Sequence, residues 1–132
     1  MINEHDFNIR LLEIFRGEAR GHRQTILSAL RELEKGEPDA EHEADAVERS
    51  FRAAHTLKGA ARAVNKDQIA GLCQSLESIF SLLKTGQGRL GKEMFGALYE
   101  AIDTIEKMEA GGGDSDSALI SRLNDIRGAI DG

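Results

Sequence analysis

Four stretches of this chain place apolar residues three and four positions apart, and short glycine-bearing segments separate them. That spacing lines one face of an α-helix. No stretch alternates apolar and polar residues for long enough to make a strand, and valine and threonine are sparse. Only one proline interrupts 132 residues. Alanine, leucine, glutamate and arginine recur throughout, and all four tolerate helix interiors well. The fold class is therefore all-α, an up-down antiparallel four-helix bundle with an additional fifth helix at the C-terminus.

The first helix is expected from about Asp6 to Lys35, with Phe7, Leu11, Ile14, Phe15, Ile26, Leu30 and Leu33 as its inward stripe. Gly17 and Gly21 sit inside it and weaken the case for a straight rod. Gly36-Glu37-Pro38-Asp39 reads as a stop and turn. The second helix spans about Ala40 to Val64, with Val47, Phe51, Ala54, Leu57, Ala61 and Val64 inward. Asn65 falls where a left-handed C-terminal cap is expected, and Asp67 is placed to cap the next helix. The third runs from about Gln68 to Lys84 and ends at Thr85-Gly86-Gln87-Gly88, and the fourth from about Lys92 to Glu109. Gly111-Gly112-Gly113 is a hinge, and Asp114 to Asp131 a shorter fifth helix. Residues 1–110 are thus expected to form the bundle, and 111–132 a hinge and helix that pack on it or lead into a linker.

Bulk properties exclude several functions. Apolar residues at 40% and charged residues at 30% suit a water-soluble globule. A net charge of −6 argues against general nucleic-acid binding, which needs a basic surface. No apolar run reaches the roughly 20 residues that span a bilayer, and the N-terminus lacks a signal-peptide core. Cys73 stands alone, so an internal disulfide is impossible and a reducing, cytoplasmic setting follows. It lies on an apolar face and reads as a small core residue. His5, His22 and His42 have no partners at metal-ligand spacing, so no metal site is assigned.

His55 is the residue with chemistry around it. Lys58 lies three positions on and Gly59 four, so all three share one helix surface with Arg52 and Arg62. Gly59 leaves the imidazole uncovered, at about 1 kcal/mol of helix stability relative to alanine. A neutral imidazole offers a nitrogen lone pair to a phosphoryl group. A carboxylate on the other ring N–H would set the tautomer, and Glu77 on the flank of the third helix is the candidate, with Gln74 as its polar neighbour. Lys58 and the arginines would balance phosphate charge, although Arg52 and Arg62 by themselves read as ordinary solvated charges. No loop here could cradle ATP.

The run Phe51-Arg52-Ala53-Ala54-His55-Thr56-Leu57-Lys58-Gly59-Ala60-Ala61 resembles the signature of histidine-containing phosphotransfer (HPt) domains, most nearly those at the N-terminus of chemotaxis histidine kinases of the CheA type. Leu11-Leu12-Glu13-Ile14-Phe15, Leu30-Arg31-Glu32-Leu33-Glu34 and Leu76-Glu77-Ser78-Ile79-Phe80 extend the likeness over about residues 7 to 108. The resemblance implies that His55 takes the γ-phosphoryl group of ATP bound to a separate kinase domain and passes it to a receiver-domain aspartate. Lys58 and Glu77 are the supporting pair it implies. ATP and Mg²⁺ would belong to the kinase partner, with no cofactor in this domain. Gln74 replaces the second histidine often found on the third helix, and Asn65 replaces the usual glycine after the second. The start at Met1, the chemotaxis-like match and the hinge favour the front piece of a larger kinase over a free-standing carrier. A monomer is expected in isolation. The competing reading is a non-catalytic adaptor bundle that binds partners through its helix faces; the basic strip and the exposed glycine count against it.

Overall fold

A computed structural model of the chain describes residues 3–36, 39–86, 88–112 and 117–131. These residues form five α-helices in chain order: α1 Glu4–Lys35, α2 Ala40–Ala63, α3 Asp67–Lys84, α4 Phe95–Glu109 and α5 Ser117–Asp131. A single 3-10 turn, Lys92–Met94, leads into α4, so the helix expected from Lys92 opens with a tighter turn. Glu37, Pro38, Gln87, Gly113 and Asp114, named above in turns and at a helix start, lie outside the described residues.

Local chemistry sets the helix ends. Asn3 caps α1 by accepting the Asp6 N–H at 2.8 Å, and Gly36 closes it at φ 73°. Asp39 caps α2 through the His42 N–H at 2.8 Å. At the far end of α2, Asn65 takes φ 61°. Its N–H bonds Arg62 O at 3.1 Å, and the Lys66 N–H bonds Ala61 O at 2.8 Å. That pair of bonds satisfies two of the last carbonyls of α2 and reverses the chain in three residues. Asp67 is not the cap of α3: Lys66 holds that position without a side-chain bond, and Asp67 is the first helical residue.

Pairs of contacts fix the direction of each helix. His55 meets Glu77 and Lys84 meets Glu48, so α2 and α3 run antiparallel. Tyr99 meets Glu34 and Arg23 meets Glu109, so α1 and α4 do too. α3 lies at the centre and packs against α2, α4 and α5. Its Leu72, Cys73, Leu76, Ile79 and Phe80 are fully enclosed. Leu119, Leu123, Ile126 and Ile130 of α5 join the same core.

The first helix departs from its expected stripe. α1 is unbroken despite Gly17 and Gly21, and at 32 residues it extends about 48 Å. Burial begins only at Phe15. Phe7, Leu11 and Ile14 are exposed, because the partner helices are shorter and α1 overhangs them. Phe51 of α2, Val64 at its C-terminal cap and Leu33 of α1 are only partly buried.

One buried ion pair ties α1 to the end of α4. Arg23 Nε lies 2.7 Å from Glu109 Oε2, and both side chains are nearly enclosed. Arg16 Nε donates to the Glu109 carbonyl at 2.8 Å. Burial pushes the Glu109 carboxyl above its ordinary value, against the opposing pull of Arg23. Arg23→Ala would leave that carboxylate enclosed and unpaired. The variant is expected to lose roughly 3 kcal/mol of unfolding free energy, read as a lower midpoint in urea; an unchanged midpoint would refute the pairing.

Candidate functional site

The Asn65 turn places the middle of α2 beside the middle of α3. His55 projects outward from α2, and its side chain is 63% exposed. Its Nδ1 lies 3.1 Å from Glu77 Oε1 on α3. A carboxylate only accepts, so this contact assigns the proton to Nδ1 and leaves the lone pair on Nε2. The other Glu77 oxygen, Oε2, lies 2.6 Å from Lys58 Nζ, an ion pair whose approach is off the line of a good hydrogen bond. Lys58 also donates to Gln74 Oε1 at 3.1 Å, and Gln74 Nε2 in turn reaches Ser78 Oγ at 3.2 Å.

His55, Lys58, Glu77 and Gln74 therefore form one continuous chain of contacts. Glu77 sits at its centre and is mostly buried. Burial raises its proton affinity, but the adjacent Lys58 ammonium and the bond from His55 outweigh that and hold the carboxyl below its ordinary value of 4.5. It stays ionised, as an acceptor for the imidazole N–H must.

Lys58 differs from the sequence reading. Its side chain is only 11% exposed, and the ammonium is already engaged by Glu77 and Gln74. Arg52 is also engaged elsewhere: its Nε bonds Glu48 Oε1 at 2.9 Å. The basic strip of α2 is thus partly neutralised within the fold. Arg62 is exposed, and so is Gly59. A methyl group built at Gly59 meets no atom within 4 Å, so the space one turn beyond His55 is open.

Two contributors escaped the sequence reading. Phe51 stacks on the His55 ring with centroids 6.3 Å apart and planes 14° from parallel, which restrains the imidazole. Lys84 Nζ lies over the Phe51 ring, 4.6 Å from its centroid, and pairs with Glu48 at 2.9 Å. The i,i+4 spacing of Phe51 and His55 was the available signal. Arg23 and Glu109 were also missed, although each interrupts an apolar stripe, between Ala19 and Ile26 and beside Ile105 and Met108. Cys73 is enclosed, and burial pushes its thiol up to about 12, so it is no nucleophile at neutral pH.

The arrangement is an exposed imidazole with one nitrogen held and the other free, backed by a buried, charge-balanced carboxylate. A neutral imidazole held in this way can accept a group on its free nitrogen. The model of the Hpt domain family matches residues 10–124. The chain is 32% identical over 123 residues to "Chemotaxis protein CheA" of Bacillus subtilis, covering 89% of this chain and 18% of that protein. It is 29% identical over 124 residues to the protein of that name in Halobacterium salinarum, at 91% and 18%. For that of Borreliella burgdorferi the match is 27% over 103 residues, at 78% and 12%. The chain thus spans about a fifth or less of these relatives' length. It belongs to the Hpt domain family, and its function is histidine phosphotransfer in two-component signalling.

Two outcomes follow from this geometry. Glu77 titrates below its ordinary value in the folded state, so its stabilising contribution is complete above about pH 4.5 and lost as pH falls through the folded value. The gap in unfolding free energy between the wild type and Glu77→Gln is expected to be widest near neutrality and to shrink in acid. A gap that does not change with pH would contradict the network. Gly59→Ala should gain up to about 1 kcal/mol of stability, seen as a raised thermal midpoint, because nothing in the fold occupies that space; a fall would show a hidden contact.

Proposed function

We propose that His55 is the phosphorylated residue and that Nε2 is the atom that carries the group. The observation that supports this most directly is the Nδ1 to Glu77 contact at 3.1 Å on a ring that is otherwise exposed. In the first step the Nε2 lone pair attacks the γ-phosphorus of ATP held by a separate kinase domain. The bond to the β,γ-bridging oxygen breaks, and its electron pair leaves with ADP. The ring gains positive charge as the N–P bond forms, and the Glu77 carboxylate at Nδ1–H stabilises it. In the second step a receiver-domain carboxylate oxygen attacks the phosphorus, and the electron pair of the N–P bond returns to Nε2.

Lys58 acts through Glu77. It keeps the carboxylate ionised and in place, and Gln74 fixes the ammonium from the other side. Gly59 leaves room for the incoming protein, and Arg52 and Arg62 border the same face. ATP and its Mg²⁺ come from the kinase partner, which supplies the nucleotide and the metal charge. Among the described residues no helix is long and apolar enough to cross a membrane, and we place the chain in the cytoplasm as the phosphotransfer part of a chemotaxis-type histidine kinase. The carrier role is that of the bundle, residues 1–110, with the C-terminal helix packed against it.

His55→Gln, incubated with a chemotaxis-type kinase core and ATP·Mg²⁺, is expected to take up no acid-labile phosphate while keeping its helical circular dichroism. Full labelling of that variant would end the assignment. Lys58→Ala and Glu77→Ala should slow labelling about 10- to 100-fold, the range set by losing a charge-assisted bond of 1.5–3 kcal/mol.

A further inference from the structure

A cleft of about 420 Å³ opens beside the histidine, between the α2–α3 face and α5. It begins where the His55 support ends, since Phe51 and Glu77 form its near wall. Gln74, Ser78 and Ser81 of α3 and Arg127 of α5 also line it. The neighbouring Leu123, Ile126 and Ile130 are buried against the core, so packing fixes the α5 backbone beside the cleft, and the Arg127 side chain is exposed at its rim.

Donors dominate this cleft. Ser78 Oγ already accepts from Gln74, so its own O–H is available to donate. Ser81 adds a second hydroxyl, and Arg127 a planar fork of N–H groups. Arg127 forms no ion pair with any described side chain. The one carboxylate among the described lining residues is Glu77, and Lys58 and His55 already balance it. On a chain with net charge −6, these donors make the cleft locally suited to an anion.

We propose that the cleft is a second contact of the phosphotransfer face, in which Arg127, Ser78 and Ser81 receive a carboxylate side chain of the protein that docks over His55. The inference rests on the assignment of His55 above. A protein seated on the exposed imidazole also covers Phe51 and Glu77, and so reaches the mouth of the cleft. A nucleotide fits it poorly. Phe51 and Leu82 are its apolar walls, and the Phe51 ring is already taken up by His55 and Lys84, so no open slot remains for a base.

The test compares Arg127→Glu and Arg127→Lys with Arg10→Glu, which makes the same charge change on the overhang of α1. Each variant is assayed with a chemotaxis-type kinase core and ATP·Mg²⁺, and then with a chemotaxis-type receiver domain. Labelling of the wild type but not of His55→Gln settles the His55 assignment first and separately. Given that result, Arg127→Glu is expected to raise the KM for the protein partner about tenfold in at least one of the two steps. Its kcat, its KM for ATP and its thermal midpoint should stay within about twofold or unchanged, as suits a docking contact at the rim. Arg127→Lys, which keeps the charge and loses the fork, should fall between wild type and Arg127→Glu, and the gap between wild type and Arg127→Glu should narrow as salt screens the pair. Arg127→Glu behaving like Arg10→Glu would overturn the proposal. So would a shift in the KM for ATP with protein affinity intact, which would make the cleft a phosphate site.

Discussion

A single carboxylate joins the two halves of this site. Glu77 reaches His55 with one oxygen and Lys58 with the other, and so links α2 to α3 at the point where chemistry is expected. Its burial would by itself favour the protonated form, in which the group could no longer accept from both neighbours. The ammonium of Lys58 reverses that preference. Without the lysine the carboxylate would have less reason to be ionised, and without the carboxylate nothing would select which imidazole nitrogen bears the lone pair. The triad is therefore one unit, and assigning separate energies to its members would have little meaning.

The scaffold around it explains how an exposed side chain can be held with precision. α2 and α3 are locked by a three-residue turn at Asn65, by the apolar seam of Leu57, Ala61, Leu72 and Leu76, and by the Lys84–Glu48 pair at the other end. Phe51 then limits the swing of the imidazole. Exposed ion pairs such as Arg52–Glu48 add little stability; what they do here is turn cations of α2 away from the histidine. The large stabilising contributions lie elsewhere, in the enclosed faces of α3 and α4, while the Arg23–Glu109 pair fixes where the overhanging α1 meets the end of α4. Stability and chemistry are thus carried by opposite sides of the same helices.

Much of this was legible before any coordinates. The number, order and approximate ends of the helices follow from apolar spacing and from Gly36, Asn65 and Gly86, because helix formation and capping are local. His55, Lys58 and Gly59 share a surface for the same reason, three and four positions being one turn. Glu77 was reachable only by supposing that α3 returns antiparallel, and Gln74 followed from it. The stripe of α1 shows where such reasoning stops. Phe7, Leu11 and Ile14 have the spacing of core residues yet find no neighbour, because periodicity says which residues share a face and not whether another helix is long enough to cover it.

What the order of residues decided is the all-α class, the turns, and the placing of a histidine, a lysine and a glycine on one exposed flank, all governed by interactions within a turn or two of the chain. What packing alone decided is which carboxylate meets the imidazole, that Lys58 is spent on that carboxylate and not left free, that Arg23 and Glu109 are enclosed together, and that Arg127 from the last helix comes to stand beside the site. Those contacts join residues 19 to 86 positions apart in three of these cases. Their formation depends on the register and crossing of whole helices, which is set by the summed fit of the core and by no single residue.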